Sequence, residues 1–194
     1  MDEIKLRLDS ISVRPMTPQF RASKTGTQRP QRSAWRADAS AYNESLGLLG
    51  NNNAEAFRLN EIAAENGMHD AVLAMGWFYL NGYGVKPNVG EAVRWFKKSA
   101  RQGDTSAMFS LGQIAYTDRE FEEALIWFER ADKKGHHRSS FWIGKMYWRG
   151  EGVAKDRKTA QALFQDATAH KVYEATRTMR FLSFLASRPD ATRL

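Results

Sequence analysis

Residues 68–103 read MHDAVLAMGWFYLNGYGVKPNVGEAVRWFKKSARQG, and the architecture follows from how that stretch recurs. Its first half sets Ala71, Gly76 and Tyr79 at small-x4-Gly-x2-Tyr spacing, and its second half sets Ala92 three residues before Trp95 and Phe96. The first half returns at Ala107 and Gly112, then at Ser139, Gly144 and Tyr147, at intervals of 36 and 32 residues. The second half returns as Ala124 with Trp127 and Phe128, and as Ala160 with Leu163 and Phe164. Gly67, Gly103 and Gly135 close successive units. The loop Gly82-Tyr83-Gly84-Val85 has its counterpart 68 residues on in Gly150-Glu151-Gly152-Val153, and the unit between shortens it to Thr117-Asp118. Self-similarity at a period of this size marks a repeat array in which each unit buries its apolar face on the next.

Within a unit, apolar residues recur at three- and four-residue spacing over runs of about 12, which predicts two antiparallel helices, A and B. Asn88 followed by Glu91 predicts an N-cap with its reciprocal partner, and Asp118 and Asp156 fall at the same place in the other units. Gly82, Gly84, Gly150 and Gly152 are expected to supply positive backbone angles after helix A. Gly76, Gly112 and Gly144 sit mid-helix, where glycine costs about 1 kcal/mol relative to alanine. Close approach of helices A and B is the expected compensation, served also by Ala71, Ala92, Ala107, Ala124 and Ala160. Trp95, Phe96, Trp127, Phe128 and Phe164 are then expected to fill the space between successive units.

The spacing resembles that of the Sel1-like repeat family, relatives of the tetratricopeptide repeats. The resemblance implies an all-α, right-handed α-solenoid. A composition shift near Asp38 sets a basic, Pro-containing extension at 1–37, which the resemblance leaves unexplained, apart from a repeat domain at 38–194. In that domain the resemblance places a degenerate unit at 38–67, repeats at 68–103, 104–135 and 136–170, and a capping helix at 171–187. The motif is fullest in 68–103 and 136–170. In 104–135 Ala115 replaces the tyrosine and the Gly-x-Gly loop is missing, so that unit reads as closer to a plain tetratricopeptide repeat. The family further implies a non-enzymatic protein-protein interaction scaffold or adaptor, and in its sharpest form a bacterial immunity protein binding a secreted toxin or a secretion component. In such solenoids helix A lines the concave wall, so candidate partner contacts are A-helix and loop residues that the repeat does not require. These are Trp77, Gln113 and Lys145 just after the mid-helix glycine, Trp142 two residues before it, and Trp148, Arg149 and Tyr83 near the loops.

The chain has 194 residues, no Cys and a net charge of +7. Lack of Cys excludes disulfides, thiolate nucleophiles and sulfur-liganded zinc, and fits a cytoplasmic setting. No apolar run is long enough for a membrane span, and from Met1-Asp2-Glu3, which has neither a positively charged start nor an apolar run, no secretory signal is expected. Arg14, Arg21, Lys24, Arg29, Arg32 and Arg36 stand without an acidic residue between them, so the excess charge sits in one segment and the remainder is near neutral. That segment also holds three of the five prolines and is expected to be flexible by composition. Nucleic-acid binding through 14–36 is the alternative function, and it would weaken steeply with salt. Ahead of the segment, Ile4, Leu6 and Leu8 alternate with polar residues as a half-buried strand does.

No catalytic, cofactor-binding or metal-binding residue is expected. The H-E-x-x-H, Walker A, G-x-G-x-x-G and G-x-S-x-G patterns are all missing from the sequence. His136 and His137 are adjacent on a helix start and point about 100° apart, which disfavours joint chelation, so solvated histidines are expected. Glu120, Glu122, Glu123 and Glu129 are expected to form a charged exterior.

Overall fold

The computed structural model describes residues 32–186, and within them it is built of helices: α1 Arg32–Leu48, α2 Asn53–Glu65, α3 His69–Asn81, α4 Val89–Arg101, α5 Thr105–Thr117, α6 Phe121–Asp132, α7 Arg138–Arg149, α8 Arg157–Ala169 and α9 Tyr173–Ala186. The strand-like alternation at Ile4, Leu6 and Leu8 and most of the basic segment lie outside the described residues. Helix α1 begins at Arg32, upstream of the composition shift at Asp38. Neither Pro nor Gly stands between Gln31 and Leu46 to interrupt it. The chain divides into two compact units, whose described parts are 32–107 and 108–186.

In residues 32–107 the core is made of Tyr42, Ala56, Ala63, Ala64, Ala71, Val72, Ala74, Met75 and Phe78, with Phe57, Tyr79, Tyr83 and Trp95 packed at its edge. Alanine dominates because small side chains let helix axes approach closely. Gly76 takes this furthest. A Cβ placed there would lie 2.4 Å from the Phe96 ring, so the glycine is the seat into which α4 presses its phenylalanine. Trp77 meets the same ring edge-on at 5.3 Å. In the preceding repeat Asn60 occupies the register of Phe96. It is fully buried and donates from Nδ2 to the Ala71 carbonyl at 3.1 Å, a polar tie from α2 to α3 in place of a ring.

Residues 108–186 repeat the arrangement. Phe128 sits on Gly112 and Phe164 on Gly144, with would-be Cβ contacts of 2.6 Å and 2.8 Å. The aromatics thus pack first inside their own hairpin, against the A-helix glycine, where the sequence suggested the space between units. Only a hydrogen side chain leaves room for a ring so close to the helix axis. Phe128 additionally stacks on Trp142 of the following repeat at 5.5 Å, so one ring serves both contacts. Ala175 of α9 is fully buried, and Glu174 accepts a hydrogen bond from Arg138, closing this unit.

The Gly-x-Gly loops lie against the start of the B helix one repeat earlier. A Cβ on Gly84 would lie 2.0 Å from the Asn53 carbonyl oxygen, and one on Gly152 would lie 2.6 Å from the Phe121 carbonyl carbon. Both glycines also have positive φ, of 70° and 69°.

Helix punctuation follows side-chain chemistry. Asn88 accepts from the Glu91 amide at 3.1 Å, and Asp156 accepts from the Lys158 and Thr159 amides. The Thr159 hydroxyl above all, with these amides, holds the Asp156 carboxyl below its ordinary range. Asp118 does not cap. In that unit Glu120 is the N-cap and its side chain makes no cap bond, while Arg119 takes a positive φ of 65°. The short loop of Asp118, Arg119 and Glu120 leaves Asp118 still bonded back into α5, through its amide to Ile114 at 3.0 Å.

At the B-helix C-termini, Gly67, Gly103 and Gly135 adopt left-handed backbone, and the following amide bonds five residues back, as Met68 does to Ala63. Lys171 occupies that position after α8 with φ 60°, and Val172 bonds to Ala167 in the same pattern. An L-residue there carries a penalty of about 1 kcal/mol that glycine escapes. Lys171→Gly is therefore expected to raise stability by up to about 1 kcal/mol, read as a higher urea midpoint with an unchanged slope.

Candidate functional site

Helices α5 and α7 carry the densest set of polar and aromatic side chains outside the repeat pattern. Trp142, Lys145 and Arg149 lie at i, i+3 and i+7 on α7, which puts them on one face. They meet Tyr116 of α5. The Lys145 ammonium stands 4.6 Å from the Trp142 ring centre and 5.1 Å from that of Tyr116, within cation–π range of both. Trp142 and Tyr116 pack edge to face at 5.0 Å.

Gly150 ends α7 in left-handed backbone, and the turn it allows brings Glu151 back over this face. The Tyr116 hydroxyl donates to Glu151 Oε2 at 2.6 Å and accepts from Arg149 Nη1 at 2.8 Å. Arg149 Nη1 also lies 3.7 Å from Glu151 Oε1. Burial, and then the bond to Glu151, push the Tyr116 hydroxyl well above its ordinary range. It remains a neutral donor. The chemistry on offer is charge-assisted hydrogen bonding and ring contact, suited to recognition.

The seven candidate contacts fall into two groups. Trp77, Trp142 and Lys145 are only 6%, 4% and 5% exposed. Trp77 is held by Phe96, and Trp142 by Phe128, Phe109 and Tyr116. Gln113, Trp148, Arg149 and Tyr83 are half-buried and keep some surface. Trp148 lies 6.5 Å from Phe164 with the Arg157 guanidinium 5.4 Å from its ring centre. Tyr83 rests edge-on against Phe78 at 6.4 Å. Lys145, Arg149 and Trp142 are brought together; Trp148 belongs to the α8 side.

Sequence reasoning passed over Tyr116 and Glu151. Tyr116 stands one residue beyond Ala115, the position where the repeat asks for tyrosine, and Glu151 is the middle residue of Gly-x-Gly, matched by Tyr83 in the earlier loop. A polar residue between two left-handed glycines was the available signal, since such a loop aims its one side chain at a neighbour.

The two adjacent histidines are not simply solvated. His136 lies 4.5 Å from Phe109, with Nδ1 3.0 Å from the Ser139 hydroxyl. Burial, reinforced by Arg138, lowers its pKa to about 4. Between the ordinary imidazole pKa of 6.5 and that value the unfolded chain binds the proton and the folded chain does not. Stability from this group is thus complete above pH 6.5 and lost as pH falls towards 4. Allowing for partial exposure, a loss of about 2 kcal/mol is expected by pH 4.5. His136→Phe should remove that part of the slope when urea unfolding is followed from pH 7 to 4.5.

The Sel1 repeat matches residues 37–68, 69–104, 105–136 and 137–170. The unit that looked closer to a plain tetratricopeptide repeat is among them. A "Chitin synthase regulator SKT5" of Malassezia restricta is 33% identical over 69 residues, 36% of this chain and 5% of that protein. A solved Sel1 repeat protein from Oxalobacter formigenes superposes with a TM-score of 0.65 at 26% identity, over 73% of this chain and 60% of the other. The c5321 protein, a protective antigen present in uropathogenic Escherichia coli strains and displaying an SLR fold, gives 0.69 at 21% identity, over 81% of this chain and 36% of its own. This chain thus spans less than two thirds of each of these relatives. Their likeness places it in the all-α class of helical-hairpin solenoids.

Proposed function

This chain belongs to the Sel1 repeat family, and from that premise we propose that it is a non-enzymatic scaffold that holds a protein partner on its helix surface. Sel1 repeats generally mediate protein–protein interaction, and similarity to a protein named as a regulator supports an adaptor role. The observation that carries the proposal is the cluster of Tyr116, Arg149 and Glu151, none of which the repeat register requires. Among the described residues no helix is long and apolar enough to cross a membrane. The sharper form makes the partner a secreted effector or a secretion component, with an immunity or adaptor role; it rests on the family resemblance.

Trp148 and Arg149 are the contacts whose loss should matter most, because truncating a Trp or Arg hot spot costs about 2 kcal/mol or more, roughly thirtyfold in affinity. Trp148→Ala and Arg149→Ala are expected to weaken binding of the partner by that factor in calorimetry. Trp77→Ala and Trp142→Ala should instead lower the unfolding midpoint, since both rings are packed away from solvent. Unchanged affinity in the first pair would set the assignment aside. The alternative, nucleic-acid association through 14–36, is supported by its six basic residues. Unchanged retention on DNA or RNA after removal of residues 1–31, which takes Arg14, Arg21, Lys24 and Arg29 and spares α1, together with substitution of Arg32 and Arg36 by Gln, would dispose of it.

A further inference from the structure

We propose that His137, Asp166 and His170 form a binding site for a first-row divalent transition ion, with Zn2+ as its representative. One ligand atom from each of the three lies within 4.8 Å of the others. A tetrahedral ion with bonds of 2.0–2.1 Å spaces its ligands about 3.3 Å apart, so side-chain rotation alone brings the three into range.

The framework is already positioned. Asp166 and His170 stand four residues apart at the C-terminal end of α8, on one face of the last turn. His137 is the N-cap of α7. Its ring stacks on that of His170 at 3.4 Å with an interplanar angle of 7°. The stack brings two imidazoles together, and an ion between them turns the rings so that both lone pairs converge.

The tautomer also suits ligation. His170 Nδ1 lies 3.0 Å from the Asp166 backbone carbonyl, which can only accept, so Nδ1 carries the proton and Nε2 keeps its lone pair. Histidines that bind metals commonly tie down their other nitrogen in this way. Asp166 Oδ1 lies 3.6 Å from Nδ1 of the same ring, so the carboxylate has to rotate to meet an ion on Nε2, and both side chains are about half exposed, leaving room for that rotation and for a water as fourth ligand. Two imidazoles and one carboxylate favour Zn2+, Ni2+ or Cu2+ over Mg2+ or Ca2+, which ask for an all-oxygen shell. The other two histidines are differently placed. His136 is held between Phe109 and Ser139, and His69 starts α3 in the other unit.

The test is a calorimetric titration of the full, tag-free chain with Zn2+. One ion per chain is expected to bind, and His137→Ala, Asp166→Asn and His170→Ala should each weaken it at least about tenfold, since losing a ligand costs no less than losing an outer-shell partner. His69→Ala should bind as the parent does. Zn2+ should raise the thermal midpoint of the parent and leave that of His170→Ala in place, because a ligand that binds only the folded state stabilises it. Circular dichroism of each variant checks that its helices are intact. No saturable binding, or equal binding by the three variants, would overturn the proposal.

Discussion

Phe128→Ala is expected to lower the unfolding free energy by about 3–5 kcal/mol, the range for emptying a fully buried phenylalanine site. The ring has no solvent exposure, rests on Gly112, and stacks against Trp142, so its removal opens the hairpin interior and the contact with the next repeat together. The mechanism is checked by a second substitution whose sign should depend on the first. Gly112→Ala in the parent puts a Cβ 2.6 Å from the Phe128 ring, and overpacking of about 1–3 kcal/mol outweighs the helix-propensity gain of about 1 kcal/mol. With the ring gone, the same change should stabilise by about 1 kcal/mol. Urea unfolding of the four proteins decides the matter. A Gly112→Ala effect equal in both backgrounds would show that the ring is not what keeps the Cβ out.

Gly84→Ala is expected to cost about 3 kcal/mol or more, made up of the left-handed backbone penalty and a steric clash. Its φ is 70°, and a Cβ would lie 2.0 Å from the Asn53 oxygen and 2.4 Å from the Asn53 carbonyl carbon. Those atoms are backbone at the first residue of α2 and cannot swing aside as a ring end can. Gly67 is the control: its φ is 86° and nothing lies within 4 Å of its would-be Cβ. Gly67→Ala should therefore show the conformational penalty alone, about 1–2 kcal/mol. The difference between the two variants measures how tightly the loop is seated on α2. Amide exchange should report it locally, with faster exchange in the first turns of α2 for Gly84→Ala only. Equal losses at both positions would mean the seating contributes nothing.

The repeat was legible because its constraints are local or nearly so. Asn88 and Asp156 cap where their spacing says they should, since an N-cap needs only a side chain and an amide two or three residues on. Asp118 failed by the same locality, because a shortened loop keeps its amide inside α5. The mid-helix glycines were readable as close contacts from their unfavourable propensity. Which ring entered each seat was settled by the distance between two helices.

The candidate site was less legible. Lys145 and Trp142 were singled out as surface contacts, yet both are buried, because α7 is buried from Ser139 to Met146 and their side chains turn onto Tyr116. Glu151 gained its partner through a turn that folds the loop back 35 residues in sequence. His137 and His170 were paired by the antiparallel packing of α7 and α8, which no spacing between residues 33 apart announces.

By itself the sequence determined the family, the period and the helix starts capped by Asn88 and Asp156, all of which depend on side-chain types at short fixed separations. Only the tertiary structure decided which polar groups meet, whether each aromatic faces solvent or a neighbouring helix, and how two distant histidines come to lie ring on ring. Those outcomes depend on helix rotation and approach, and a turn of one residue about a helix axis moves a side chain by about 100°.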